Sequence, residues 1–320
     1  MENGFKRRID YTGSLKNLST TIVRDFALGK YLNHKIVTIG YEDFNYYLRT
    51  SKGRYFVKIF STQRTPDDAK RIVGIMSQVY RAGIAIPELY ESSQGYLHVV
   101  KENGITLRIC VMSFVEGKDF FTTGKRLTNK DIGEIVYQTA MINKLSIRPK
   151  RIYDTWAISN FLHEFNKKKK YLDKADQPLF KSLVGDIKKL NTQSLPHCFT
   201  HGDIIKTNVL KDIHGRIWIV DFSVANTYPR IQELAVLACD VLFDRTSKLK
   251  SERMLAHGLA EYQKYTPLIV REKNSLPLFI KLAHAMHVLC ATFEKKTKHN
   301  TSKENEYFLN IGKIGLRRFN

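Results

Sequence analysis

Thr200-His201-Gly202-Asp203-Ile204-Ile205-Lys206-Thr207-Asn208-Val209-Leu210, followed after a turn by Trp218-Ile219-Val220-Asp221-Phe222, is the stretch from which the rest of this chain can be read. Asp203 follows His201-Gly202 in a short polar turn, where a carboxylate can accept the proton of an attacking alcohol and hold its oxygen in line with a γ-phosphate. Five positions on, Asn208 can turn its amide oxygen toward a magnesium ion, a hard cation that prefers oxygen ligands. Asp221 would be the second, charged ligand. It ends the apolar run Ile217-Trp218-Ile219-Val220, which reads as a buried strand, and a hairpin through Asp212-Ile213-His214-Gly215 returns it to the loop bearing Asp203 and Asn208. A loop acid capping a turn and an acid closing a strand would be the bland alternative.

Phosphoryl transfer from ATP needs a second constellation, a nucleotide-covering hairpin and a lysine for the phosphates, and both stand upstream in that order. Val37-Thr38-Ile39-Gly40 and Asn45-Tyr46-Tyr47-Leu48-Arg49-Thr50 read as strands, with Gly40-Tyr41-Glu42-Asp43-Phe44 between them as a glycine-poor phosphate cover. Ser51-Lys52-Gly53 then turns the chain into Arg54-Tyr55-Phe56-Val57-Lys58-Ile59-Phe60. Alternation puts Tyr55, Val57 and Ile59 on one face and Lys58 with Phe56 and Phe60 on the other, a setting in which a cation needs an anionic partner. Thr65-Pro66-Asp67-Asp68 opens a helix running to about Arg81. No Glu stands in the middle of that helix, where Lys70 and Arg71 occur, so Asp67 and Asp68 read as first-turn acids and only secondarily as partners of Lys58. Leu107 to Val115 reads as a strand ending at the polar pair Glu116-Gly117.

Taken together, His201-Gly202-Asp203, Asn208, Asp221-Phe222, Lys58 and the helix exit Gly83-Ile84-Ala85-Ile86-Pro87 resemble the aminoglycoside phosphotransferase and choline kinase family, along most of the chain. Within that family the closing helices, around Leu259-Ala260-Glu261-Tyr262, Leu276-Pro277 to Phe293 and Asn305 to Leu309, are similar to those of homoserine-kinase-like members. The resemblance implies an α+β, protein-kinase-like two-lobed fold: residues 1–112 as a nucleotide-binding lobe with an antiparallel sheet, 113–117 as a hinge, and 118–320 as a larger, mainly helical lobe. It implies Asp203 as catalytic base, Asn208 and Asp221 as Mg2+ ligands, Lys58 on the ATP phosphates, and backbone groups of Ser113 and Val115 on adenine. The partner would be a small molecule bearing a hydroxyl, with homoserine, aminoglycosides, choline-like alcohols and sugars as the classes the family covers. Two departures stand out. Asn143, at the end of a helix expected over Asp131 to Ile147, replaces a His, and Glu233 replaces the Asp of an Asp-Leu-Ala signature in a helix expected from Pro229 through Phe243, where it reads as a first-turn acid.

Composition accommodates this reading and limits others. A chain of 320 residues with 43% hydrophobic content can bury a large core. The net charge of +21 raises nucleic-acid binding as another class, but no recognition motif accompanies the basic runs Lys167-Lys168-Lys169-Lys170 and Lys295, Lys296, Lys298, which read as solvated helix faces. A strongly cationic acceptor suits so basic a chain poorly unless an acidic pocket containing Asp240 or Asp244 receives it. Cys110, Cys198, Cys239 and Cys290 are scattered without metal spacing and are expected to be reduced. His284 and His287, three apart on one helical face, read as core residues and not as a metal site. With no uncharged apolar run of about 18 residues and no secretion signal at the start, the expectation is a cytoplasmic protein with no membrane partner; the oligomeric state is left open. A kinase-shaped scaffold without turnover is the third alternative, against which the set Lys58, Asp203, Asn208 and Asp221 argues.

Overall fold

Alternation along Phe44–Thr50 and Gly53–Ile59 determines which face of the first sheet is dry, because successive side chains leave a strand on opposite sides. In the computed structural model, which describes residues 6–37, 42–102 and 104–319, the chain divides between Gly117 and Lys118 into two units. The first unit carries an antiparallel six-stranded sheet. Tyr31–Ile36, Phe44–Thr50, Gly53–Ile59 and Ile105–Ser113 lie side by side, and both Leu89–Tyr90 and His98–Glu102 pair with Ile105–Ser113. Tyr55, Val57 and Ile59 join Phe44, Tyr46, Leu48, Leu107, Ile109 and Val111 in a core closed by Leu18, Ile22 and Val23 of the helix Leu15–Asp25.

The first described strand, Tyr31–Ile36, ends just before the expected strand Val37-Thr38-Ile39-Gly40, of which Thr38 to Gly40 lie outside the described residues. Tyr31–Ile36 is an edge strand containing Asn33, His34 and Lys35, and an edge needs pairing on one side only, so polar residues are tolerated and the apolar signal is weak. Val37 adds a single ladder bond to Asn45, and Gly40 and Tyr41, the first two residues of the expected phosphate cover, lie outside the described residues. The helix Pro66–Arg81 begins with a reciprocal cap: Asp68 N–H donates to Thr65 Oγ1 at 3.1 Å while Asp68 Oδ2 accepts from Thr65 N–H at 2.9 Å.

The second unit is mainly helical, with His197–Thr200 paired to Asn226–Pro229 and the hairpin Val209–Asp212 to Ile217–Ile219 as its small strands. Several helix ends differ from the sequence expectation. Asn129–Asn143 stops short of Ile147, with Lys144 at its C-cap. Arg230–Cys239 ends before Phe243, and Pro229 belongs to the preceding strand. Val270–Lys298 starts well before Pro277, with Glu272 accepting the Ile269 N–H at 3.1 Å, and carries that proline inside. This helix is long and apolar enough to cross a membrane by length and composition alone, and most of that stretch is buried within the unit. Lys303–Phe319 packs on it through Gly312, where an added Cβ would lie 2.8 Å from the His284 carbonyl.

Lys168 corrects the reading of its basic run as wholly solvated. The helix Phe161–Lys168 turns it inward, where it pairs with buried Glu164 at 2.7 Å and donates to Cys290 Sγ at 3.2 Å, while Lys167, Lys169 and Lys170 are exposed. Lys295, Lys296 and Lys298 are exposed as expected. All four cysteines are free, three of them buried.

Candidate active site

A glycine is required at 202 because the strand His197–Thr200 must turn sharply to expose the next side chain: Gly202 has φ +84°, in the left-handed region. Buried His201 anchors the turn. Its Nε2–H donates to the Val220 carbonyl at 3.1 Å and its Nδ1 accepts from the Asp203 N–H at 3.2 Å, an arrangement only the neutral ring can make. Burial pushes its pKa down to about 4 although Asp221 pulls upward, and its ring lies 4.3 Å from that of Phe222. One histidine thereby links the Asp203 turn to the segment entering Asp221.

Asp203 and Asn208 meet directly. Asn208 Nδ2 donates to Asp203 Oδ2 at 2.7 Å and to the Asp203 carbonyl at 3.0 Å, while the Asn208 carbonyl accepts from the Val220 N–H at 3.0 Å. With both amide hydrogens directed at Asp203, Asn208 Oδ1 is the atom left for a cation. Asp203 is held well above the usual carboxylate range by burial first, then by Asp154, Asp221 and Glu304, with the Asn208 bond opposing. Asp221 has φ +68°, a conformation that costs a non-glycine residue about 1–3 kcal/mol and persists where neighbours enforce it. Its Oδ1 accepts from the Ser223 N–H at 3.3 Å.

Surplus negative charge with oxygen donors is what a hard divalent cation complements, so Asn208 and Asp221 fit the ligand role expected of them. Among the described residues no group of three His, Cys, Asp or Glu side chains is placed to hold a metal ion. His284 and His287 are core residues: burial lowers their pKa to about 3 and 4, and their rings pack on Phe243 and Phe308 at 4.7 and 5.0 Å.

Glu233 has a role that the sequence did not reveal. Fully buried at the start of Arg230–Cys239, its two carboxylate oxygens accept the Gly202 N–H at 3.2 and 3.1 Å, so it braces the turn before Asp203. Burial lifts its pKa to about 7 against these backbone bonds from Gly202 and His201. The available signal was a carboxylate directly ahead of the apolar run Leu234-Ala235-Val236-Leu237-Ala238. Asn143 likewise supports the preceding strand, donating to the Phe199 carbonyl at 3.0 Å and accepting from Tyr262 Oη at 2.8 Å. Of the two proposed pocket acids, Asp240 is buried and accepts the Lys206 N–H at 2.7 Å, whereas Asp244 pairs with Lys250 at 2.7 Å and caps the turn at Thr246. Glu304 is pushed up to about 7 by burial, Asp119 and Asp240, which extends the acidic region beyond Asp203.

In the first unit, Lys58 is buried and its partner comes from outside the helix Pro66–Arg81. Asp43, at the entry to Phe44–Thr50, places Oδ2 3.1 Å from Lys58 Nζ. Asp68 is engaged in the helix cap. The Ser113 N–H donates to the Glu88 carbonyl at 2.8 Å, and the Val115 carbonyl accepts from the Gly117 N–H at 2.8 Å.

Comparison with known proteins follows the same lines. The family model described as the phosphotransferase enzyme family matches residues 34–268. A homoserine kinase of Methylobacterium sp. (strain 4-46) is 23% identical over 85% of this chain and 83% of its own length. A homoserine kinase of Methylobacterium nodulans is 24% identical over 79% of this chain and 78% of its own length. Among solved structures, an amicoumacin kinase in complex with AMP-PNP and Ca2+ aligns with a TM-score of 0.68 at 14% identity, covering 99% of this chain and 96% of that one. The choline kinase of Streptococcus pneumoniae gives 0.64 at 13% identity, over 95% and 99%. These likenesses establish a kinase-like α+β fold.

Proposed function

This chain belongs to the phosphotransferase enzyme family and is a small-molecule kinase acting on a hydroxyl, and from that premise we propose that it moves the γ-phosphate of ATP to an amino alcohol, homoserine being the first candidate. Asp203 accepts the hydroxyl proton and aligns the attacking oxygen. Asn208, through Oδ1, and Asp221 hold Mg2+, which when bound neutralises phosphate charge. Lys58 meets the phosphates. Ser113, whose N–H is already donated to Glu88, offers its carbonyl to adenine, and Val115 its N–H. Catalysis rests on positioning and charge, because a loose transition state asks little covalent help.

The single observation that carries this reading is the 2.7 Å bond from Asn208 to an Asp203 carboxylate surrounded by Asp154, Asp221 and Glu304. A basic protein that concentrates acids around its base suits an acceptor bearing an ammonium near the hydroxyl. The homoserine kinase relatives support the amino-acid form of such an acceptor. An aminoglycoside is the second reading, favoured by the same acids. Purified protein tested for Mg2+-dependent ADP release with homoserine, choline, ethanolamine, aminoglycosides and sugars decides between them: turnover confined to sugars would refute the amino-alcohol assignment, and turnover unchanged in Asp203→Asn would refute the assigned base.

A further inference from the structure

The helix after the lysine strand lacks the mid-helix acid that would hold a phosphate-binding lysine, yet Lys58 is not left without a counter-charge. Asp43 is buried, with Oδ2 3.1 Å from Lys58 Nζ. Its other oxygen, Oδ1, accepts from Arg64 Nε at 2.8 Å and from the Ser61 N–H at 3.1 Å. Arg8 approaches the same residue, donating to the Asp43 backbone carbonyl at 3.1 Å. Two cations therefore meet one carboxylate, itself pinned by a backbone amide, with the Arg8 charge nearby.

We propose that Asp43 is the positioning residue for Lys58, taking over from the strand entry the task of the missing helix acid; this rests on the reading of Lys58 as the phosphate-binding lysine. The physics has two parts. A buried ammonium without a counter-ion pays a large desolvation cost, and beside Arg64 and Arg8 it would also be repelled, so removal of the carboxylate displaces Lys58 or strips its proton. Arg64 and the Ser61 amide hold Oδ1 while Oδ2 serves Lys58, so the carboxylate stays ionised and in place when Lys58 directs its other hydrogens at a phosphate. Asp43 acts through Lys58 and need not touch the nucleotide.

The test is calorimetric binding of Mg·AMP-PNP to the full chain in wild type, Asp43→Asn, Lys58→Met and the double variant, with thermal melting of each. Losing one charge-assisted contact to phosphate weakens binding by about 10–100-fold. Asp43→Asn is expected to show that loss, Asp43→Glu to recover part of it, and the double variant to bind no more weakly than Lys58→Met alone. If Asp43→Asn does not fold, Asp43→Glu is read in the same cycle, and its affinity change must vanish in the Lys58→Met background. Unchanged affinity in Asp43→Asn, or a loss that adds in full to that of Lys58→Met, overturns the proposal and leaves Asp43 a structural residue. Wild-type affinity in Lys58→Met overturns the reading of Lys58 itself, a different failure.

Discussion

Replacing Glu233 by Gln tests whether the turn before Asp203 is braced by a carboxylate that burial has made hard to ionise. Glu233 is fully buried, its pKa lifted from 4.5 to about 7 by desolvation, with the backbone bonds from Gly202 and His201 opposing. That elevation corresponds to about 3 kcal/mol. Because the folded pKa lies above the unfolded one, the contribution is fully present below pH 4.5 and is lost as pH rises through about 7. The Gln variant has no such proton to lose. Its amide oxygen still accepts from the Gly202 N–H, and its NH2 stands where the protonated wild-type acid carries its O–H, so the two proteins are similar in stability while Glu233 is neutral. The two stability curves should therefore diverge: they lie close together at pH 5, and the variant is the stronger by about 2–3 kcal/mol at pH 8. Urea unfolding followed by intrinsic fluorescence is the assay, since the two tryptophans, Trp156 and Trp218, both belong to the second unit and report on it. Stability profiles that run parallel from pH 5 to pH 8 would refute the reasoning.

Three further outcomes are expected. Asp203→Asn should lower phosphoryl transfer by about 10²–10⁴-fold while Mg·AMP-PNP still binds, checked by ADP release beside calorimetry. Asp221→Ala should raise the Mg2+ concentration needed for half-maximal turnover, and a variant with the wild-type magnesium titration removes Asp221 from the ligand set. Gly312→Ala should destabilise the second unit by about 1–3 kcal/mol, read as a lower urea midpoint, because its Cβ would sit 2.8 Å from the backbone carbonyl of His284, which cannot swing aside.

Local sequence was enough to identify a kinase-like chain, for reasons that do not depend on long-range packing. His201 to Asn208 form one turn, Asp221 follows one hairpin later, and the strand carrying Lys58 shows its faces by alternation, so spacing and period place these groups within their own segments. Capping at Thr65-Pro66-Asp67-Asp68 is likewise a matter of adjacent residues. What tertiary structure alone decided are the pairings between segments distant in sequence. Glu233 reaches the Gly202 amide across 31 positions, Asn143 reaches Phe199 across 56, and Lys168 is drawn inward to Cys290 across 122, where the basic run alone suggested a wet surface. Asp43 is the sharpest case: a kinase-like chain is expected to pair this lysine with an acid of the following helix, whereas the sheet register sets a strand-entry carboxylate beside it. Charge shows the same limit, for a net +21 gave no sign that Asp154, Asp221 and Glu304 would be folded close enough to raise the proton affinity of Asp203. A linear chain states which groups are available and which neighbours are fixed by helix, strand and turn; burial and the convergence of like charges depend on how separate segments pack, and only the folded chain settles them.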